Sequence, residues 1–113
     1  MITLTISINA RSNKRNELLS ACRSIIDKTR TEKGCIGCRY YQDIGNGNLI
    51  YVEETWRHRS YLDKHFRSEI FSALLGAMKL LGETHEIQIN DGYQTQGIEA
   101  VQSARSKEGT SGS

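Results

Sequence analysis

Glu54, Trp56 and His65 have the types and spacing that could do chemistry. The run Leu49-Ile50-Tyr51-Val52-Glu53-Glu54-Thr55-Trp56 reads as a strand. Side chains alternate along a strand, so Glu54 and Trp56 share one face while Tyr51, Glu53 and Thr55 take the other. His65 follows nine residues after Trp56, and its proton leaves and returns near neutral pH. It stands three residues after Leu62 and four after Tyr61, at the edge of the inward stripe of a short helix. Such a set could exchange a proton with a substrate held between aromatic walls. The residues alone favour a structural role, with His65 bonded to a carboxylate or carbonyl and Trp56 anchoring the helix that follows. A buried Glu54 needs a partner, because an unpaired buried carboxylate is costly; His65, Arg57 or a residue of another subunit could serve. Tyr51, Tyr40 and Tyr61 are the candidate substrate-binding side chains, and alternation lets only one of Tyr40 and Tyr41 face inward.

Cys35-x-x-Cys38 invites a redox or zinc reading. Residues i and i+3 of a regular strand point to opposite faces, so this reading expects neither a disulfide nor a shared metal. No second cysteine pair completes a structural zinc site, and Cys22 falls in a helical core stripe. His58 and His85 are expected at the surface, and Met78 in the core. Gly45-x-Gly47 is turn chemistry and not a nucleotide fingerprint. The sequence holds no metal triad, phosphate-cradling loop or Ser-His-Asp system, and no cofactor or metal is expected.

The elements that must position these groups are legible in order. Ile2, Leu4, Ile6 and Ile8 alternate with Thr3, Thr5 and Ser7, the period of a half-buried strand. A helix is expected from about Lys14 to Lys33, capped by Ser12 or Asn13 and ended by Gly34, with Leu18, Cys22, Ile25 and Thr29 on its buried face. Strands at Cys35–Asp43 and Leu49–Trp56 flank Ile44-Gly45-Asn46-Gly47-Asn48, whose residues tolerate positive φ. A short helix over 58–66 precedes one capped by Ser68, which reaches Leu81 and ends at Gly82; a last strand covers 83–93. The order strand, helix, strand, strand, helix, strand is ferredoxin-like: an α+β, βαββαβ antiparallel sheet with helices on one face. Residues 1–96 form that domain. Residues 97–113 are a tail in which Ile98, Val101 and Ala104 make one or two amphipathic turns, with disorder expected from Ser106.

Composition bounds the rest. The chain has 113 residues and a net charge of +2, too small to argue for nucleic acid with the signs interspersed. No apolar run approaches a membrane span. The N-terminus lacks a signal-peptide layout, and three cysteines without one imply reduced thiols in the cytoplasm.

Gly34-Cys35 opening one strand, Glu54-x-Trp56 closing the next, and His65 with Ser68-Glu69-Ile70-Phe71 behind it resemble the antibiotic biosynthesis monooxygenase family of dimeric α+β barrels. The resemblance covers roughly residues 2 to 93. It implies a homodimer in which two bare sheet faces meet. It also implies a cofactor-independent monooxygenase that oxidises small electron-rich aromatics, of the quinol or anthrone kind, with molecular oxygen. His65 would then be the proton acceptor or hydrogen-bond partner, with Trp56 and a tyrosine orienting the ring. Rival readings are a non-catalytic dimeric binding module and an isomerase of a small oxygenated metabolite. Haem degradation, found in a sister group, is disfavoured: Leu75 stands where that group has its iron-binding histidine, and His65 where it has a tryptophan.

Overall fold

The computed structural model describes residues 1–92 and 94–111, the last four of these by backbone alone. The elements are β1 (Ile2–Ala10), α1 (Arg15–Thr29), β2 (Cys35–Gln42), β3 (Leu49–Trp56), α2 (Arg59–Phe66), α3 (Glu69–Leu81), β4 (Gly82–Asn90), β5 (Thr95–Gln96) and α4 (Ile98–Ser111). One antiparallel sheet runs β2-β3-β1-β4-β5. This is the expected ferredoxin-like α+β fold, extended by a two-residue edge strand and a C-terminal helix.

Alternation decides what each sheet face carries. Leu4, Ile6 and Ile8 of β1 are buried, as are Ile50 and Val52 of β3 and Ile87 and Ile89 of β4. Register stacks them: Ile6 lies opposite Val52 on one side and Ile87 on the other. Against this face pack Leu18, Cys22, Ile25 and Ile26 of α1 and Phe71, Leu74 and Met78 of α3. The other face carries Thr3, Thr5 and Ser7 beside Tyr51, Glu53 and Thr55, and among the described residues no helix covers it.

Several boundaries differ from expectation, each for a local reason. The first helix stops at Thr29, four residues early. Residues 30–33 turn instead, with Thr31 Oγ1 donating to the Lys28 carbonyl at 2.6 Å and the Glu32 amide to that of Thr29 at 3.0 Å. Gly34 then adopts φ +87°, and a Cβ there would run into the Tyr61 ring, so glycine is required twice over. Neither Ser12 nor Asn13 caps α1: Lys14 takes that position without a side-chain bond, and Asn13 itself turns left-handed at φ 64°. Ser68 does cap α3, accepting from the Phe71 amide at 3.1 Å.

The β2–β3 turn is not built on positive φ, which among the described residues occurs at Asn13, Gly34 and Gly92. Side chains hold it: Asp43 Oδ2 accepts from the Asn46 amide at 2.8 Å, and Asn46 Oδ1 from the Asn48 amide at 3.1 Å. The last long strand ends at Asn90; Tyr93, expected within it, lies outside the described residues. The expected amphipathic turns are a full helix that continues to Ser111, where disorder was expected from Ser106; residues 112 and 113 lie outside the described part. Ala100, Val101 and Ala104 face the core, while Arg105 donates to the Phe66 carbonyl and to Ser72 Oγ, fastening α4 across the end of α2.

Candidate functional site

β3 and α2 bring the three central residues together. On β3, Glu54 and Trp56 both point toward the helices and are almost wholly buried. On α2, Leu62, His65 and Phe66 form the inward face. The α2–α3 junction is tight because Ser68 returns to His65: its amide and its hydroxyl both donate to the His65 carbonyl, at 3.0 and 2.7 Å. That turn folds Phe71 back onto its neighbours, with ring centroids 5.0 Å from Phe66 and 5.3 Å from His65. Trp56 lies 4.8 Å from the imidazole. The histidine is therefore walled by three aromatic rings, in contacts of about 0.5–1.5 kcal/mol each for aromatic pairs.

The polar groups form a chain. His65 Nδ1 lies 2.6 Å from Glu32 Oε2, and Nε2 lies 3.1 Å from Glu54 Oε1. The same Glu54 oxygen accepts the Trp56 indole N–H at 3.0 Å. The Nε2 contact is close but poorly aimed, short of a directed hydrogen bond, so it is held mainly by charge. His65 and Glu54 are 1% exposed, whereas the Glu32 side chain is 19% exposed, so the chain meets solvent at Glu32. The sequence reading missed Glu32, which it placed inside α1. No local signal pairs it with His65, 33 residues away; only the early end of α1 turns it inward.

The electrostatics follow from this geometry. Burial pulls the His65 pKa down, but the adjacent Glu54 carboxylate, followed by the charge and hydrogen bond of Glu32, outweighs it, and the net shift is upward. Burial pushes the Glu32 carboxyl up, and the nearby His65 charge and hydrogen bond only partly reverse this. A ring with a carboxylate on each nitrogen is favoured as the imidazolium.

The tyrosines are not brought together. Tyr61 is half-buried on α2 and lies over Gly34, near the Glu32 end of the chain. Tyr40 faces the helix side of β2, but its hydroxyl meets Arg23 Nε at 3.3 Å in a groove against α1. Tyr51 is on the open face, opposite Tyr41 and Ser7. Five surface cavities, about 270 to 460 Å³ in volume, have none of Glu32, Glu54, Trp56 or His65 in their linings.

The expectation that Cys35 and Cys38 point to opposite faces is overturned by a bulge. Cys35 pairs with Trp56 and Cys38 with Glu54, while Ile36 is the extra residue between them. Cross-strand partners share a face, so both thiols lie on the helix side, against the Glu54–Trp56 pair. Cys38 is buried and Cys35 half-buried. Burial, followed by the Glu54 and Glu32 charges, pushes the Cys35 thiol up to about 11; burial and Glu54 push Cys38 higher still.

Residues 1–76 match the model of the antibiotic biosynthesis monooxygenase family. The chain belongs to that family. An uncharacterised Synechocystis protein is 30% identical over 96 residues, 84% of this chain but 65% of its own length. A Bacillus subtilis protein, named provisionally as a monooxygenase, is 26% identical over 72% of this chain and 85% of its own. A conserved Methanosarcina mazei protein of solved structure superposes with a TM-score of 0.74 at 28% identity, covering 79% of this chain and 89% of its own. The family match spans Glu32, Glu54, Trp56 and His65, and stops short of β4, β5 and α4.

Proposed function

We propose that the protein is a cofactor-independent monooxygenase of small, electron-rich phenols. Family membership supports the reaction class, and a provisionally named monooxygenase among its relatives agrees. The observation that carries the reading is the buried Glu32–His65–Glu54 chain with one end at solvent. Glu32, raised by burial, is a better base than an ordinary carboxylate and takes the phenolic proton. His65 and Glu54 hold Glu32 in place, and Trp56 and Phe71 keep the surroundings apolar. The phenolate supplies the electrons. One atom of O2 enters the ring as a carbonyl oxygen and the other leaves as water, so the substrate gives up four electrons and no external reductant is needed. The substrate enters beside Tyr61.

Oxygen uptake with anthrone and dihydroxynaphthalene substrates tests this. The native protein should consume one O2 per quinone formed, and Glu32→Gln should lower the rate by about a hundredfold or more, a typical general-base contribution, with the fold retained. Phenol binding without oxygen uptake would instead support the non-catalytic binding module. Both His65 nitrogens face carboxylates, so in the monooxygenase reading the imidazole positions Glu32 and does not itself take the substrate proton.

The functional unit in this reading is a homodimer in the cytoplasm, joined isologously through the open sheet face. The three cysteines are free thiols, in keeping with a reducing compartment, and among the described residues no helix is long and apolar enough to cross a membrane. Light scattering at micromolar concentration should give twice the chain mass, and Thr5→Arg, in the middle of that face, should reduce it to one; a wild-type monomer would remove this assembly.

A further inference from the structure

We propose that Cys35 and Cys38 form a two-thiolate site for a soft monovalent cation, with the coordination chemistry of copper(I). The bulge at Ile36 makes the site. In a regular strand, three residues at about 3.3 Å each would separate the two positions by roughly 10 Å and turn them to opposite faces. Here they lie opposite Trp56 and Glu54, consecutive residues of one face, so their spacing falls to roughly two residues, about 6.6 Å. That is near the upper limit of about 6.8 Å between disulfide-bonded Cα atoms, so direct S–S closure would have to tighten the strand. An ion between the sulfurs, at metal–sulfur distances of about 2.3 Å as for zinc thiolates, spans a wider gap without that distortion.

The surroundings select the ion. Among the described residues no third histidine, cysteine or carboxylate completes a cluster, which disfavours zinc with its four ligands. Two soft thiolates alone suit copper(I). Glu54 on β3 and Glu32 in the turn after α1 give the site a negative field that draws in a cation. Arg30, whose Nε donates to the Cys38 carbonyl at 2.8 Å, offsets the charge of the anionic bis-thiolate product. Half-buried Cys35 is the way in. Binding breaks two S–H bonds, forms two metal–sulfur bonds and releases two protons to solvent. No electron is transferred.

The test titrates the full reduced chain, without oxygen, against copper(I) held by bicinchoninate, whose colour reports withdrawal of the ion. One equivalent per chain should be taken up. Trp56, the single tryptophan and the cross-strand partner of Cys35, should lose fluorescence in step. Cys35→Ser and Cys38→Ser should each abolish uptake, and Cys22→Ser should leave it intact. Cys38→Ser changes a buried position, so circular dichroism must confirm its fold; Cys35→Ser, at a half-buried one, decides the matter if it does not fold. The proposal fails if the protein takes up no copper, if uptake survives Cys35→Ser, if it disappears with Cys22→Ser, or if the product is a metal-free Cys35–Cys38 disulfide.

Discussion

Glu53 and Glu54 are adjacent in β3 and chemically alike, yet they occupy opposite electrostatic worlds. Glu53 lies on the open face, 3.3 Å from Arg39 Nη2 across the strand pair, with its side chain 35% and that of Arg39 68% exposed. Glu54 lies on the covered face, 1% exposed, between His65 and the Trp56 indole. Water screens the first pair and pays much of its solvation, so the pair contributes little. The second has lost its water, and the protein must supply every partner. Residue type is the same at both positions; one step of strand alternation separates a replaceable surface charge from a group whose neighbours are all constrained.

Removing each carboxylate breaks this comparison most directly. Glu54→Ala leaves His65 charged and buried with one partner gone, and breaking a buried pair in this way typically costs about 3–5 kcal/mol. Glu53→Ala should cost no more than about 1 kcal/mol, the usual range for an exposed pair. Urea unfolding of the two variants measures both. Equal losses would mean that burial does not distinguish the two sites, and that Glu54 is solvated in solution.

The same contrast explains what was legible in the sequence. Alternation alone put Glu54 and Trp56 together and Tyr51 with Glu53 on the other face, because a period of two is a local property of a strand. His65 was placed inward by its spacing from Tyr61 and Leu62, also a local property. Glu32 was not legible, since its role depends on α1 ending at Thr29 and on a partner 33 residues away. The cysteines misled for a related reason. Alternation holds only in an unbroken strand, and the extra residue Ile36 shifts the register between Cys35 and Gly37. The C-terminal helix was under-read because its amphipathic signal is weak: Ala100 and Ala104 are small, and Arg105 bonding to α2 and α3 stabilises what periodicity did not announce.

A smaller effect, in pH, sharpens the comparison further. The His65 pKa is raised in the folded protein above its ordinary value of 6.5, so the native state binds this proton more tightly than the unfolded chain does. The resulting stabilisation is fully present below the unfolded value and is lost as pH rises through the folded one. Glu32 is raised as well, from 4.5, so its contribution is present below that value and declines as pH rises through its own folded pKa. Both slopes have the same sign, in an upper and a lower window, and the wild type should lose stability as pH rises from about 5 to above 7. His65→Gln removes the upper window. It also takes away the charge that lowers Glu32, whose pKa then rises further and carries the lower window upward. Urea midpoints measured every half unit of pH for wild type and His65→Gln should show the wild-type decline, and a difference between the two that changes through the upper window. A wild-type stability that climbs between pH 6.5 and 8 would mean that His65 is neutral in the fold. A neutral ring has one N–H, so it would donate to only one of Glu32 and Glu54, and the carboxyl facing its other nitrogen would have to carry a proton itself.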